Sequence, residues 1–265
     1  MYIHSLNPVF INIGYFEIRW YSLSYIFGIL IGWWVAKKLV NYKNSNLQIE
    51  FNNNSFDDLI SYIIVSIILG GRLGYVFFYN FDYYFKNPVD IIKIWEGGMS
   101  FHGALIGVII STSLFAKLKK IPPFFLLDII ACVAPIGLFF GRIANFINGE
   151  LYGTVSNMPW SIIFPIIDDN PRHPSQLYEA VLEGVILLFI LNYLFVRKKA
   201  QAGICSSFFL ILYGFFRIIC EQFREPDAQL GYIFGILSMG TILSLLMIIF
   251  GFSIFLNIKK NEKFR

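Results

Sequence analysis

Residues 124–143 read FFLLDIIACVAPIGLFFGRI, and only Asp128 and Arg142 in this run are charged at neutral pH. A helix of about 20 mainly apolar residues is long enough to cross the hydrocarbon core of a bilayer, so this run predicts a transmembrane helix. The whole chain has the same character, because 57% of its residues are hydrophobic and 14% are charged. A soluble domain has about 25% charged residues. The composition therefore excludes a soluble globular protein and predicts an all-α, polytopic integral membrane protein.

Six further apolar runs bring the prediction to about seven transmembrane helices. The predicted spans are 21–40, 59–79, 98–116, 124–143, 178–196, 203–222 and 232–254. The polar stretch 41–58 is predicted to be a loop in which Ser55 caps the second span. The predicted organisation is an extracytoplasmic arm at 1–20, a seven-helix catalytic domain at 21–258 that contains an extracytoplasmic head loop at 144–177, and a cytoplasmic basic tail at 259–265.

Basic residues on alternate connections predict the orientation, because cytoplasmic loops carry an excess of Lys and Arg. The segments rich in Lys and Arg follow the first, third, fifth and seventh spans. In that order they contain Lys37, Lys38 and Lys43; Lys117, Lys119 and Lys120; Arg197, Lys198 and Lys199; and Lys259, Lys260, Lys263 and Arg265. The poorer connections hold Arg19, Lys86, Lys93, Arg172 and Arg224. This pattern predicts an extracytoplasmic N-terminus and a cytoplasmic C-terminus. The net charge of +4 is spread over short clusters, which does not indicate a nucleic-acid partner.

Several ionisable side chains fall inside or at the edges of the predicted spans. Each costs about 2.5–3.5 kcal/mol on insertion scales, so we expect it to be paired or functional. These residues are Arg72, His102, Asp128, Arg142, Glu179, Glu183, Arg217 and Glu221. Structural pairing is the alternative for each arginine, and a structural role is favoured for Arg72 and for Asp128. The predicted topology brings most of the set to the outer half of the membrane.

Two of these arginines have neighbours that favour binding of a phosphate. Asn145 follows Arg142 at a spacing of three, which puts both on one helix face. Tyr213, Arg217 and Glu221 recur at a spacing of four, so Glu221 can hold Arg217 and leave guanidinium donors for a ligand. Guanidinium groups suit bidentate recognition of phosphate, and a phospholipid head group is the phosphate at this depth.

His102, flanked by glycines in GGMSFHGALIG, is the candidate proton acceptor, although a structural role is the alternative. Cys132, Cys205 and Cys220 lie in apolar runs without metal-ligand spacing, and we interpret them as small packing residues. The sequence has no HExxH zinc motif, no GxSxG elbow and no Walker A loop. It therefore predicts neither a metal site nor a cofactor.

Six blocks of sequence, in order, make the chain similar to the bacterial prolipoprotein diacylglyceryl transferase family. The blocks are RWYSLSY (19–25), GGRLGYVFFYN (70–80), GGMSFHGALIG (97–107), GRIANFINGELYG (141–153), RHPSQLYE (172–179) and YGFFRIICEQFREPDAQ (213–229). Ala104 and Ala144 stand where glycine is common in that family. The resemblance extends from about residue 21 to about residue 240.

The resemblance implies a reaction in the bacterial cytoplasmic membrane, with the active site toward its outer leaflet. The sn-1,2-diacylglyceryl group of phosphatidylglycerol moves to the lipobox cysteine thiol of a preprolipoprotein signal peptide, a thioether forms, and glycerol-1-phosphate leaves. The implied catalytic residues are His102, Arg142 and Arg217. The implied phosphatidylglycerol contacts are Arg142, Arg217, Tyr21, Asn145, Glu150, Gly153 and Tyr213, with Glu179 and Glu221 in support.

Three other functions compete with this interpretation. An anion or lipid transporter would use the arginines as an anion path, but it would need polar residues through both leaflets. Another head-group transferase or a phosphatase would use the same two arginines to bind phosphate. Without the family resemblance, the residues alone do not distinguish such an enzyme from one that alkylates a thiol. A structural scaffold is disfavoured by the number of ionisable groups at membrane depth.

Overall fold

Seven membrane-spanning helices dominate the structure, as the apolar runs predicted. The computed structural model of the chain describes residues 2–14, 16–47, 51, 53–198, 200–225 and 237–263. Within these residues, the helices long and apolar enough to cross a membrane are Trp20–Tyr42, Ser55–Tyr79, Phe101–Leu118, Pro123–Asn148, Ser175–Arg197, Ile204–Glu221 and Met239–Lys260. The predicted fold class is therefore confirmed.

The elements follow one another in the order strands, helices, a short sheet and helices again. The helices are α1 (Trp20–Leu47), α2 (Asn53–Tyr79), α3 (Phe81–Lys86), α4 (Phe101–Leu118), α5 (Pro123–Asn148), α6 (Ser175–Glu179), α7 (Leu187–Asn192), α8 (Ile204–Glu221) and α9 (Met239–Lys263). The strands are β1 (Tyr2–Ile3), β2 (Val9–Ile13), β3 (Phe16–Arg19), β4 (Ile162–Ile163) and β5 (Pro171–Arg172). The fifth span is continuous because the π-helical segments Ala180–Ile186 and Tyr193–Arg197 follow α6 and α7.

The chain divides into two compact units. The first unit contains Met1–Ala36 and Ile130–Arg265, and the second contains Lys37–Ile129. In the first unit, β2 and β3 form an antiparallel hairpin, and β1, β4 and β5 form a three-stranded sheet in the order β1-β4-β5. The strand β1 pairs with β4 in parallel, and β4 pairs with β5 in antiparallel.

In the second unit, α2 and α4 pack closely because glycines face each other. A Cβ atom added to Gly74 would lie 2.5 Å from the Cα of Gly103, and one added to Gly107 would lie 2.5 Å from the carbonyl oxygen of Ser66. Small residues of this kind let membrane helices approach each other's backbones. The Ser100 hydroxyl caps α4 by accepting from the Gly103 amide at 3.3 Å. This contact fixes the first turn of α4, which carries His102.

In the first unit, polar side chains fasten the packed helices. The Asn192 amide donates to the carbonyl oxygen of Cys132 at 2.9 Å and to that of Leu188 at 2.8 Å. Cys132, Cys205 and Cys220 are fully buried and form no disulfide, in agreement with their interpretation as packing residues.

The helix ends differ from those predicted. The helix α1 continues to Leu47 and α2 begins at Asn53, so the predicted loop at 41–58 is too long and Ser55 lies inside α2 rather than at its N-cap. Polar residues beyond the lipid boundary do not end a helix; a capping backbone conformation does. The helix α5 accordingly continues to Asn148 and ends at Gly149, whose φ of 68° is left-handed.

Two predicted boundaries are not tested by these elements. The predicted start of the seventh span at residue 232 lies outside the described residues, and α9 begins at Met239. The assignment of residues 144–177 to an extracytoplasmic head stays a prediction.

Candidate active site

Two arginines of the first unit share a single carboxylate. The Nε atom of Arg142, on α5, lies 2.6 Å from Oε2 of Glu179. The Nη1 atom of Arg217, on α8, lies 2.8 Å from the same oxygen. Glu179 is fully buried at the end of α6. The structure thus brings the two sequence-predicted arginines together around one residue.

A second buried carboxylate, Glu183, lies beside the first. It follows Glu179 by four residues in the π-helical segment Ala180–Ile186, so both side chains face the same way. Its Oε2 atom lies 3.4 Å from Nη2 of Arg142, and its Oε1 atom lies 3.6 Å from Nη1 of Arg217. These distances are longer than those to Glu179, but the Arg142–Glu183 contact has hydrogen-bond geometry, which the contacts to Oε2 of Glu179 do not have.

Glu221 holds the opposite side of Arg217. Its Oε1 atom lies 2.5 Å from Nη2 of Arg217, which is the ion pair expected from their spacing on α8. The Ser238 hydroxyl donates to the other Glu221 oxygen at 2.6 Å. Arg217 is therefore clamped between carboxylates from two spans.

Arg224, just after α8, is a third guanidinium in this group, with Nη1 at 3.5 Å from Oε1 of Glu179. The formal charges of the group balance. Its members are Arg142, Arg217, Arg224, Glu179, Glu183 and Glu221. We call these six residues the arginine cluster. Mutual pairing offsets much of the cost of placing charges at membrane depth.

The arginine cluster keeps hydrogen-bond donors for a ligand. In the described part of the chain, no residue accepts a hydrogen bond from Nη1 of Arg142 or from Nε of Arg217. A guanidinium presents five N–H donors in a rigid fork. The cluster is therefore anchored and still able to donate to an anion.

Tyr213 adds a phenol beside the charges. It lies four residues before Arg217 on α8 and is 1% exposed. Its ring stacks on Phe209, with centroids 5.8 Å apart. The hydroxyl is close enough to Glu183 and Arg142 to interact electrostatically with both. The predicted binding residue Tyr213 thus belongs to the surroundings of the arginine cluster.

Glu150 and Asn145 form a polar pair at the end of α5. The Nδ2 atom of Asn145 donates to Oε1 of Glu150 at 2.7 Å, and Nδ2 of Asn148 donates to the same oxygen at 3.3 Å. The backbone carbonyl of Glu150 accepts from Nε2 of Gln176 at 2.7 Å. These contacts fix the Glu150 carboxylate against the helix that carries Arg142.

Tyr21, at the start of α1, is linked to this region through a second tyrosine. Its hydroxyl accepts from that of Tyr25 at 3.4 Å, and the rings lie 5.2 Å apart. Tyr25 interacts electrostatically with Glu150 and Arg142. The first span therefore brings the Tyr25 phenol near these two charges, and Tyr21 contacts Tyr25.

Gly153 is a backbone junction with no room for a side chain. A Cβ atom there would collide with the carbonyl oxygens of His173 and Phe223. Its amide donates to the carbonyl oxygen of His173 at 2.9 Å, and its carbonyl accepts from Nη1 of Arg172 at 3.1 Å. A β-bridge joins Gly153 to Arg224. This junction holds the segment that follows α8.

Outside the spans, Arg172 ties the same loops together. Its hydrogen bond to Asp168, at 2.6 Å, lowers the pKa of that carboxyl from 3.8 to about 2. It also donates to Glu225 at 3.2 Å and lies over the Tyr152 ring at 4.9 Å. Burial lowers the pKa of the neighbouring His173 below its ordinary value of 6.5. At neutral pH we therefore expect His173 to be uncharged.

His102 lies in the second unit, in the first turn of α4, where it is 8% exposed. Its assignment as the proton acceptor stays a prediction. Arg72, for which structural pairing was favoured, is also in the second unit and donates to backbone carbonyls of residues 90–98. In the part of the chain that the structure describes, no three His, Cys, Asp or Glu side chains form a group that could hold a metal.

Sequence reasoning missed three contributors to the cluster. Glu183 was recognised as ionisable but not placed in the site, although its spacing of four from Glu179 gave the signal. Arg224 was counted with the loop charges, whereas it follows Glu221 by three residues and is buried. Ser238 is distant in sequence and carried no signal.

The comparisons with known proteins agree on one family. A family model described as prolipoprotein diacylglyceryl transferase matches residues 8–257. The chain is 52% identical to a phosphatidylglycerol–prolipoprotein diacylglyceryl transferase of Rickettsia typhi over 253 residues, which cover 95% of this chain and 96% of that protein. A protein of the same name from Rickettsia canadensis is 50% identical, over 96% of this chain and 97% of that protein. Another from Rickettsia bellii is 49% identical, over 93% of this chain and 93% of that protein.

Proposed function

Because the chain belongs to the prolipoprotein diacylglyceryl transferase family, we propose that the arginine cluster is the part of the protein that binds phosphatidylglycerol and drives its reaction. The protein is a multi-pass membrane transferase that moves the diacylglyceryl group of phosphatidylglycerol to a prolipoprotein. The observation that carries the assignment is the shared Glu179 oxygen, which Arg142 approaches to 2.6 Å and Arg217 to 2.8 Å.

The two guanidinium groups have a task in both the bound state and the transition state. A phosphodiester carries one negative charge. The N–H donors of Arg142 and Arg217 that do not contact carboxylates bind this charge. As the bond from the glyceryl carbon to the phosphate oxygen breaks, negative charge grows on that oxygen. Donors already held in place by Glu179 and Glu221 stabilise this charge without rearranging, which is the usual source of the largest rate contribution.

The acceptor in this proposal is the lipobox cysteine of the prolipoprotein signal peptide. A free thiol has a pKa of about 8.5 and becomes a good nucleophile only when deprotonated. We assign His102 as the base that takes this proton. The sulfur then bonds to the glyceryl carbon, the carbon–oxygen bond breaks, and glycerol-1-phosphate leaves with the bonding electrons.

The polar groups around the arginines would orient the head group. Glu150, fixed by Asn145, offers a carboxylate oxygen to a glycerol hydroxyl, and Tyr21 and Tyr213 offer phenol groups. Gly153 has no chemistry of its own and supports the site through its backbone contacts.

The test is transfer activity in vesicles that contain phosphatidylglycerol and a lipobox peptide, with the thioether product measured by mass spectrometry. Loss of one donor that stabilises a developing anion costs about 2.7–4 kcal/mol, so Arg142→Ala and Arg217→Ala should each slow transfer by at least about a hundredfold. Full activity in either variant would refute the assignment. Release of diacylglycerol and glycerol phosphate without thioether formation would instead indicate that the protein hydrolyses the phosphodiester.

Arg19→Ala is the matched control. Arg19 also pairs with a glutamate, Glu17 at 3.0 Å, but its side chain is 60% exposed. This variant loses the same guanidinium and should keep the wild-type rate. His102→Gln tests the base separately, and a wild-type rate in that variant would remove His102 from the mechanism while leaving the arginine assignment intact.

We further propose that the active site faces the outer leaflet of the bacterial cytoplasmic membrane, with the N-terminus outside and the C-terminus in the cytoplasm. The excess of Lys and Arg on alternate connections supports this orientation. A green fluorescent protein fused to the C-terminus should fluoresce in cells, because that protein does not fold after export by the general secretion route. A dark fusion that is nevertheless inserted would contradict the orientation.

A further inference from the structure

The arginine cluster is electrically neutral before any ligand binds, because its three guanidinium groups face three carboxylates. A phosphodiester brings one more negative charge into this group. A net charge at membrane depth is expensive, and a buried carboxyl that meets excess negative charge takes up a proton instead. The binding of a phosphodiester therefore calls for one positive charge that the six residues do not supply.

The three carboxylates of the cluster differ in how closely they are held. An oxygen of Glu179 lies 2.6 Å from Arg142 and 2.8 Å from Arg217. An oxygen of Glu221 lies 2.5 Å from Arg217. Glu183 lies farther from its partners, at 3.4 Å from Arg142 and 3.6 Å from Arg217. Because Coulomb attraction falls with distance, neutralising Glu183 gives up less of it than neutralising either of the others.

Glu183 also has an oxygen that no hydrogen bond serves. The side chain is fully buried, and its Oε2 atom accepts from Nη2 of Arg142. Its Oε1 atom has no hydrogen-bond partner among the residues that the structure describes. Buried polar atoms normally have such partners. A proton on Oε1 would remove the unserved charge and leave the bond between Oε2 and Arg142 in place.

The titratable groups that interact electrostatically with Glu183 come from its own span, from α5, from α8 and from the chain just after α8. They are Glu179, Arg142, Arg217, Arg224, Tyr213 and Cys220. Arginine stays protonated in proteins, and a phenol or a thiol that is already protonated cannot gain another proton. Glu179 is the other carboxylate of this set, and it has the closer guanidinium partners.

We propose that Glu183 takes up one proton when phosphatidylglycerol binds, so that the lipid and the proton enter the arginine cluster together. The inference rests on the proposed function, because it takes the cluster as the phosphatidylglycerol site. Three arginines then face two glutamates and one phosphodiester, and neutrality is kept. A neutral Glu183 also stops competing with the phosphodiester for Arg142 and Arg217. Glu183 is therefore a positioning residue that sets the charge of the site.

The experiment counts the protons that the full-length protein takes up in dodecyl maltoside micelles, with a pH indicator at low buffer concentration. Phosphatidylglycerol is added without an acceptor peptide, so that no transfer follows, and the same addition to empty micelles is subtracted. Binding of tritiated phosphatidylglycerol is measured in parallel. Where free Glu183 is ionised, we expect a proton to accompany each bound lipid. The dissociation constant should then rise by about tenfold for each unit of pH, because binding consumes a proton.

Two substitutions of Glu183 separate its titration from its shape. Glu183→Gln is neutral at every pH, so it should bind phosphatidylglycerol without proton uptake and lose the pH dependence of the dissociation constant. Glu183→Asp keeps a carboxyl that can titrate and should restore the uptake. Glu17→Gln is the matched control, because it neutralises a carboxylate that is 49% exposed. This variant should take up protons as the wild type does.

Two results would overturn the proposal. One is binding of phosphatidylglycerol to the wild type with no proton uptake at any pH. The other is uptake that persists in Glu183→Gln, which would place the proton on a different group. Neither result affects the proposed function, which fails instead if Arg142→Ala binds phosphatidylglycerol as tightly as the wild type.

An infrared measurement keeps the test open if Glu183→Gln does not fold. Ether-linked phosphatidylglycerol has no ester carbonyl, so its binding should reveal a new carboxylic acid band in the difference spectrum of the wild type. Glu183→Asp should shift that band. The absence of the band, or a band that this variant leaves in place, would contradict protonation of Glu183.

Discussion

Replacing Glu179 with glutamine tests whether the arginine cluster depends on one buried negative charge. The substitution keeps the size and shape of the side chain and removes its charge. Oε2 of Glu179 lies 2.6 Å from Arg142 and 2.8 Å from Arg217, and Oε1 lies 3.5 Å from Arg224. In the variant, an amide faces three guanidinium groups and can accept from only part of them. Three cations then share the two remaining carboxylates of the cluster.

The expected size of the effect follows from the burial. Removing one partner of a buried ion pair costs about 3–5 kcal/mol, because an uncompensated charge stays buried. Glu179 is fully buried, so Glu179→Gln should lower the free energy of unfolding by about that amount. Since about 1.4 kcal/mol corresponds to a factor of ten, the unfolding equilibrium constant should rise by at least about a hundredfold.

The assay is equilibrium unfolding in mixed micelles of dodecyl maltoside and increasing sodium dodecyl sulfate, monitored by tryptophan fluorescence. Glu17→Gln is the control, because Glu17 pairs with Arg19 at 3.0 Å but its side chain is 49% exposed. An exposed pair contributes about 0–1 kcal/mol. Equal losses in the two variants would refute the idea that the arginine cluster is held by its buried carboxylate.

Three further changes have defined outcomes. Arg217→Lys replaces a fork that contacts carboxylates through two nitrogens with one ammonium, so transfer from phosphatidylglycerol should fall by at least about tenfold, and an unchanged rate would contradict the need for the fork. The stability that Asp168 gains from Arg172 is present above its ordinary pKa of 3.8 and is lost as pH falls toward about 2. The midpoint of thermal unfolding should therefore fall less steeply between about pH 5 and pH 2.5 in Asp168→Asn than in the wild type. Gly153→Ala forces a methyl group against the carbonyl of His173 and should lower the free energy of unfolding by about 1–3 kcal/mol, whereas a thermal midpoint equal to wild type would show that the junction can relax.

The spans were predictable because lipid imposes one strong requirement, a run of apolar residues long enough to cross it. The ends of the helices were not predictable, because polar residues outside the lipid are compatible with a helix and with a loop. The end of α5 shows the difference. The apolar run stops near residue 143, yet the helix continues to Asn148 and stops at a glycine with left-handed backbone. A capping signal, rather than hydrophobicity, marks that end.

The site was predictable where its partners lie on one helix. Arg217 and Glu221 are four residues apart on α8, and their ion pair follows from helical geometry alone. The position of Glu179 as the shared partner of two spans depends on how α5, α6 and α8 pack, which no local pattern reveals. The spacing of four between Glu179 and Glu183 indicated that they share a face, but not that this face meets Arg142 and Arg217. Ser238 contacts Glu221 across 17 residues of sequence for the same reason.

The burial of the three cysteines has a consequence for an enzyme that alkylates sulfur. Cys220 lies on α8 between Arg217 and Glu221, and Cys132 and Cys205 lie in packed helices. Each is 0% exposed, so none can present its sulfur in line with a departing phosphate. The protein thereby avoids consuming its lipid donor on itself, and every turnover is kept for thiols that arrive from another chain.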